Sequence, residues 1–160
     1  MARYHMHKSE REIDGPAAIE RVLLRGKYAT LALCRDQEPY VVTLNYGYDR
    51  AEQALYFHSA LEGLKLDFIR ENARVCGTVI EDKGYLAEKC SHAYRSVVFW
   101  GDVAVVEDPR AKRDGLRCMI EHLEENADAV YQRLLSDPNR LQSVTVLRLR
   151  IKEITGKVSP

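Results

Sequence analysis

What this sequence lacks narrows its function before any motif is read. No apolar run approaches the roughly 20 residues that a membrane-spanning helix needs. Neither sign of charge dominates: 24 lysines and arginines face 24 aspartates and glutamates. Such a chain carries no net field to attract nucleic acid or an acidic membrane surface. There is no Gly-x-Gly-x-x-Gly, which excludes a built-in Rossmann nicotinamide domain. The 4 cysteines, at positions 34, 76, 90 and 118, include no Cys-x-x-Cys pair and read as free thiols of a reducing compartment. Cys34 and Cys76 fall within apolar runs, where a thiol behaves as a small hydrophobe. Cys90 lies beside His92, yet His92 with His122, like His5-x-His7, matches no closed ligand set, so no metal is expected. The start, Met1-Ala-Arg-Tyr-His-Met-His-Lys8, lacks the apolar core of a signal peptide. The expectation is a cytoplasmic protein with neither a membrane nor a nucleic-acid partner.

What is present points to one α+β domain over residues 13–160, preceded by a charged, weakly periodic arm over residues 1–12. Asp14-Gly-Pro opens a helix that Asp14 is placed to cap, with Ile19, Val22 and Leu23 on its buried stripe. Extended segments follow at residues 28–34, 40–48 and 54–58, joined by short turns that suit an antiparallel meander. A helix of two to three turns carries Leu61, Leu64 and Phe68 at spacings of three and four. Residues 74–80 form a fourth strand, residues 81–93 a polar connection, and residues 94–106 a long fifth strand with Gly101 as a bulge or bend. Asp108-Pro109 caps a helix with Leu116, Met119, Ile120 and Leu123 on one face. Its end, around His122, reads as solvated, and a further helical piece covers residues 127–135. Residues 144–154 alternate apolar and charged, as a last strand with one wet face. The sum is a six-stranded antiparallel barrel or curled sheet with three to four helices.

The most chemically pointed stretch is Tyr56-Phe-His-Ser-Ala-Leu-Glu-Gly-Leu-Lys65, a strand end, a short glycine-bearing loop and a first helical turn. A helix start offers unpaired N–H groups and a partial positive charge, so an anionic group such as phosphate suits it. Lys65 adds a full charge and Ser59 a hydroxyl donor. The alternative for Lys65 is a solvated helix residue paired to Glu62 or Asp67. His58 shares a strand face with Tyr56 and is either a satisfied structural histidine or, with the loop that follows, a functional one. Asn45 lies in an apolar strand, where its amide needs a partner. Tyr46, Tyr48, Phe99 and Trp100 read as core or subunit-contact aromatics.

Several blocks in order, Tyr28-Ala-Thr-Leu-Ala-Leu, Pro39-Tyr-Val-Val-Thr-Leu-Asn-Tyr46, Leu55-Tyr-Phe-His-Ser-Ala-x-x-Gly-x-Lys65, Tyr94-Arg-Ser-Val-Val98 and Ile154-Thr-Gly-Lys157, resemble the flavin-binding split-barrel family related to pyridoxamine 5′-phosphate oxidase. The resemblance is to its 5-nitroimidazole resistance reductase branch and spans residues 10 to 157. It implies a split-barrel homodimer with FMN in a groove between subunits. On that resemblance Val42, Thr43, Leu44 and Asn45 would run along the flavin ring edge. His58, Ser59, Leu64 and Lys65 would surround the phosphate end, with Tyr94 and Ser96 completing the cofactor site. His58, beside the flavin, is the catalytic candidate as a proton donor. The implied activity is reduction of a nitroaromatic, quinone or similar small acceptor, with NADH, NADPH or a protein as donor. The alternative is a flavin- or haem-binding carrier or sensor without turnover. Thr43 stands where this branch commonly has proline. The arginine-rich C-terminal arm of the vitamin oxidases is not among the matching blocks, so vitamin oxidation is not expected.

Overall fold

The computed structural model describes residues 7–159; residues 1–6 of the expected arm, His5 among them, lie outside the described residues, as does Pro160. The elements run α1 (Pro16–Arg25), β1 (Tyr28–Arg35), β2 (Glu38–Asn45), β3 (Gly47–Asp49), β4 (Ala54–Ser59), α2 (Leu64–Glu71), β5 (Arg74–Leu86), β6 (Ser91–Val105), α3 (Pro109–Leu123), α4 (Ala127–Leu135), α5 (Pro138–Gln142) and β7 (Thr145–Ser159). The strands form one antiparallel sheet in the order β2-β1-β5-β6-β7-β4-β3. The longest, β6, pairs with β5 along one edge and β7 along the other, and its register shifts between Trp100 and Gly101, the expected bulge. Residues 9–11 make a 3-10 turn, Glu12 bridges to Lys157, and the Ile13 amide donates to the Gly156 carbonyl at 2.9 Å.

The inner faces of the strands and α1 and α2 share one core. Leu31, Leu55, Phe57, Phe99, Leu147 and Leu149 are fully buried in it. Each such side chain contributes about 1.5–3 kcal/mol relative to exposure. The sheet curls around this core and β2 approaches β4, but among the described residues no ladder joins them, so the barrel stays split with β2 and β3 as its edges.

Seven strands, rather than six, arise because the apolar run at residues 40–48 bends at Tyr46. The chain leaves one sheet edge there and joins the other as β3. Tyr46 is fully buried and its hydroxyl donates to the Leu23 carbonyl at 2.6 Å; burial pushes its phenol well above the ordinary range. Five helices form, rather than three or four. The added one, α5, is nucleated by Pro138 and by Asp137, whose carboxylate accepts from the Asn139 amide at 2.9 Å. Residues 81–93 are not a loose connection. They extend β5 and β6 into a hairpin, which a shift between Asp82 and Tyr85 bends and the Asp82–His92 contact at 2.7 Å clamps. Asp14 does not cap α1; Gly15, at φ 85°, occupies the N-cap with no side-chain acceptor. Asp108 does cap α3, accepting from the Ala111 amide at 2.7 Å.

Helix α3 lies on the other side of β4 and β3, over a second apolar cluster of Ala54, Tyr56, Met119 and Val146. Gly47 permits this seat: a Cβ there would stand 2.5 Å from the Met119 amide nitrogen and 2.6 Å from the Cys118 carbonyl carbon. The end of α3 is also pinned, against the expectation of a solvated terminus. His122 is half-buried, its Nε2 lies 2.6 Å from the Gly26 carbonyl, and its ring sits 4.9 Å from that of Tyr46. Lys27 Nζ donates to the His122 carbonyl at 2.8 Å, as a cation does well at a helix C-terminus.

Two outcomes follow from this packing. Gly47→Ala should destabilise the fold by about 1–3 kcal/mol through overpacking, measured by urea unfolding; an unchanged midpoint would mean that α3 is not seated on β3. Burial holds His122 below its ordinary pKa of 6.5, with Lys27 adding to the depression and the Gly26 contact opposing it. The unfolded chain therefore takes up this proton first as pH falls. The stability contributed by neutral His122 is complete above about pH 6.5 and declines as pH drops toward the lowered folded value. Urea midpoints taken between pH 7.5 and 5 should fall more steeply for the native chain than for His122→Gln; equal slopes would remove His122 from the acid limb.

Candidate functional site

The residues expected at the site sort onto different faces because side chains alternate along a strand. On β2, Thr43 and Asn45 point to the outer face of the sheet, and the Thr43 and Thr30 hydroxyls lie 3.0 Å apart. Val42 and Leu44 point the other way and pack against the core, leaving only their backbone at this sheet edge. Direct register carries the outer face from Thr43 to Thr30, Thr78 and Val98. Ser96 and Tyr94, two and four residues before Val98 on β6, belong to that same face. Large apolar side chains stand open on it: Tyr28 is 55%, Val41 60% and Ile80 51% exposed.

Neighbours on β4 diverge in the same way. Leu55, Phe57 and Ser59 face the main core side, whereas Ala54, Tyr56 and His58 face α3. Ala54 and Tyr56 are covered by that helix, and His58, one step further, is exposed. Ser59 is only 6% exposed, and Lys65 Nζ donates to its hydroxyl at 2.8 Å. The lysine thus pairs with neither Glu62 nor Asp67; Asp67 instead meets Arg70 at 3.3 Å.

Between them the chain turns at Gly63, the N-cap of α2, with φ 141° and no side-chain cap on the first turn. That backbone conformation favours glycine. The helix starts at Leu64, three residues beyond Leu61, where its expected apolar stripe begins. Leu66, Phe68 and Ile69 form its inner face, and Leu61 and Leu64 stand 52% and 51% exposed. An ammonium, a hydroxyl and an uncapped helix start are the donor set that a phosphate monoester needs, so the residues present fit the phosphate end of a flavin nucleotide.

Asn45 and His58 come together in a cleft of about 450 Å³. Its sheet wall is these two polar side chains. Its other walls come from α3, α4, α5 and the residues before β7, among them Leu116, Ile120, Leu123, Val130 and Leu134. Asn45 is oriented from behind, its Nδ2 donating to the Lys27 carbonyl at 2.9 Å. The partner that its amide required is thus the α1–β1 loop, the same loop that pins His122. Helix α4 is held to α3 by Arg113, which donates to the Leu135 carbonyl at 2.9 Å, and by the Arg117 guanidinium 5.4 Å from the Tyr131 ring centre. Sequence reasoning did not assign these helical walls to the site. The available signal was the apolar stripe on α3, of which Met119 is buried while Leu116, Ile120 and Leu123 remain partly open.

Other candidate chemistry does not converge here. Tyr94 and Ser96 do not line the cleft. Cys118, on α3, is half-buried, and burial foremost, with Asp49 and Glu121 adding, pushes its thiol up to about 12, which disfavours the thiolate at neutral pH. Among the described residues no group of three or more His, Cys, Asp or Glu side chains is arranged to hold a metal ion, and no helix is long and apolar enough to cross a membrane.

A search of curated proteins finds no significant match. Among solved structures, a candidate 5-nitroimidazole antibiotic resistance protein from Bacteroides thetaiotaomicron shares 26% identity at a TM-score of 0.73, over 97% of this chain and 96% of its own. The flavocytochrome Anf3 from Azotobacter vinelandii superimposes with a TM-score of 0.79 at 17% identity, over 98% of this chain and 73% of its own. An FAD-binding protein from Mesorhizobium loti aligns over 94% and 98% with a TM-score of 0.69 at 23% identity. At those lower identities the likeness is one of fold. The family model described as pyridoxamine 5′-phosphate oxidase matches residues 16–158. The chain, with its split antiparallel sheet, is a member of the pyridoxamine 5′-phosphate oxidase family.

Proposed function

We propose that this protein is an FMN-dependent oxidoreductase of the cytoplasm that reduces a small acceptor, such as a nitroaromatic or a quinone, at the expense of NADH, NADPH or a protein donor. The observation that carries this reading is the Ser59–Lys65 pair at the uncapped start of α2. A cation held on a buried hydroxyl, with helix N–H groups beside it, is preorganised for a terminal phosphate. When bound, FMN supplies the two-electron chemistry, and the chain supplies placement and protons. Thr43 and Asn45 offer hydrogen-bonding groups on the outer face, and the unpaired backbone edge of β2 offers more. Asn45 is held in one orientation by the Lys27 carbonyl. His58, open to the cleft, is placed to give a proton to an acceptor lying there.

The active form is proposed as a homodimer. Tyr28, Val41 and Ile80, exposed together on one sheet face, are the kind of aromatic and aliphatic surface that subunits cover. A second reading, a flavin- or haem-binding carrier, is favoured by one observation: His58 presents an exposed imidazole to a largely aliphatic cleft, as an axial ligand would. The visible spectrum separates the two readings, since haem and flavin absorb differently.

The protein purified with added FMN should retain a flavin band through gel filtration. Lys65→Ala should weaken flavin affinity by about tenfold or more, the effect of losing one charge-assisted hydrogen bond. His58→Ala should keep the flavin and lower kcat with a donor and a quinone. No flavin retained by the native chain would sink the proposal, and a haem band would move the carrier reading ahead. Full turnover in His58→Ala would remove the proton-donor role alone.

A further inference from the structure

The cleft that unites Asn45 and His58 has two unlike walls. One is the polar end of the sheet. The other is aliphatic, contributed by residues that lie far later in the chain, on α3, α4 and the approach to β7. Leu116, Ile120, Leu123, Val130, Leu134 and Val144 are each only partly buried and line this space. Six open aliphatic side chains around about 450 Å³ are costly to leave to water, by roughly 25 cal/mol for each Å² of apolar surface.

The cleft carries no excess of positive charge. Arg140, in the last turn of α5, and Glu124, which ends α3, both line it. The Arg140 charge is further offset by Asp137 at 4.0 Å. An anionic ligand would therefore give up its hydration for no net compensation. A neutral ring would bury its faces on the aliphatic wall and turn a nitro or carbonyl oxygen toward the donors on the sheet wall.

We infer that this cleft is the acceptor subsite, that it selects uncharged aromatic or quinonoid molecules over anionic ones, and that Ile120, Val130 and Leu134 on the helical wall determine this specificity. The inference rests on the proposed function only in naming the ligand an acceptor; the binding preference is a property of the cleft itself. Phosphorylated substrates are excluded from it by the same balance, so the phosphate-binding pair at Ser59 and Lys65 serves the cofactor and not the acceptor.

The test uses the full chain, as purified with added FMN, and two probes: 1,4-naphthoquinone and its 2-sulfonate. Saturation-transfer NMR titrations should show the neutral quinone binding about tenfold or more tightly than the sulfonate, a difference of about 1.4 kcal/mol. Leu134→Arg and Val130→Lys place a cation on the aliphatic wall at partly exposed helix positions. Either variant should weaken the neutral quinone and narrow or invert the preference, with flavin absorbance and thermal midpoint kept. Equal binding of both probes by the native chain, or an unchanged preference in both folded variants, would overturn the inference. Quinone bound with this preference by protein that retains no flavin would support the cleft assignment and overturn only the cofactor reading. Flavin-loaded protein that binds neither probe would overturn the cleft assignment alone.

Discussion

The fold turns on the burial of Tyr46. At this residue the chain leaves the first edge of the sheet and joins the last, so one side chain closes the corner of a barrel that hydrogen bonds do not close. A phenol buried so completely must have its hydroxyl satisfied, and the Leu23 carbonyl at 2.6 Å does this. Three elements are thereby tied together. The end of α1 supplies the acceptor, and Gly26 follows without a side chain, since a Cβ there would stand 2.5 Å from the tyrosine oxygen. The end of α3 supplies His122, tilted against the ring. From the same α1–β1 loop, the Lys27 carbonyl receives the Asn45 amide. The orientation of a cleft residue thus depends on a corner whose own chemistry is purely structural.

The second organising constraint is the two-residue period of β4. Ser59 and His58 are adjacent in sequence but face opposite sides of the strand. One side is closed by the core and leads to Lys65 and α2. The other is covered by α3 only as far as Tyr56 and then opens under α4 and α5. Phosphate anchoring and acceptor chemistry are therefore proposed on either side of one strand end. On that proposal a single point would hold both relative to the sheet, the placement required of a site that keeps a cofactor and an acceptor in register.

Much of this was legible in the sequence because the relevant signals are local. Strand residues with β-branched and aromatic character, the Asp108-Pro109 start of α3, the glycine in β6 and the loop from Ser59 to Lys65 each depend on neighbours within a few positions. The misreadings came where the decision was not local. The run at residues 40–48 has uniform strand character, and nothing in it says that Tyr46 will be a corner; that depends on Leu23 and His122 arriving from elsewhere. The polar segment at residues 81–93 became a hairpin because β5 and β6 were already aligned and ordering a few more pairs cost little. Leu61 and Leu64 match a helical stripe as well as Leu66 and Ile69 do, and only the position of β1 against α2 chose between them.

By itself the sequence determined the α+β class, the antiparallel pairing of β1 with β2, and the grouping of Ser59, Gly63 and Lys65 around one turn, since each follows from short-range periodicity and turn chemistry; the expected three-strand meander gave way where β3 and β4 joined the opposite edge of the sheet. The sequence also determined, through its ordered blocks, the family to which the chain belongs. The tertiary structure alone decided which side of each strand faces the core, and so separated Thr43 and Asn45 from Val42 and Leu44. It alone brought the aliphatic faces of α3 and α4 over His58. Those contacts join residues far apart in the chain, and their cost in loop-closure entropy is met only when the whole core forms. No local pattern carries that information.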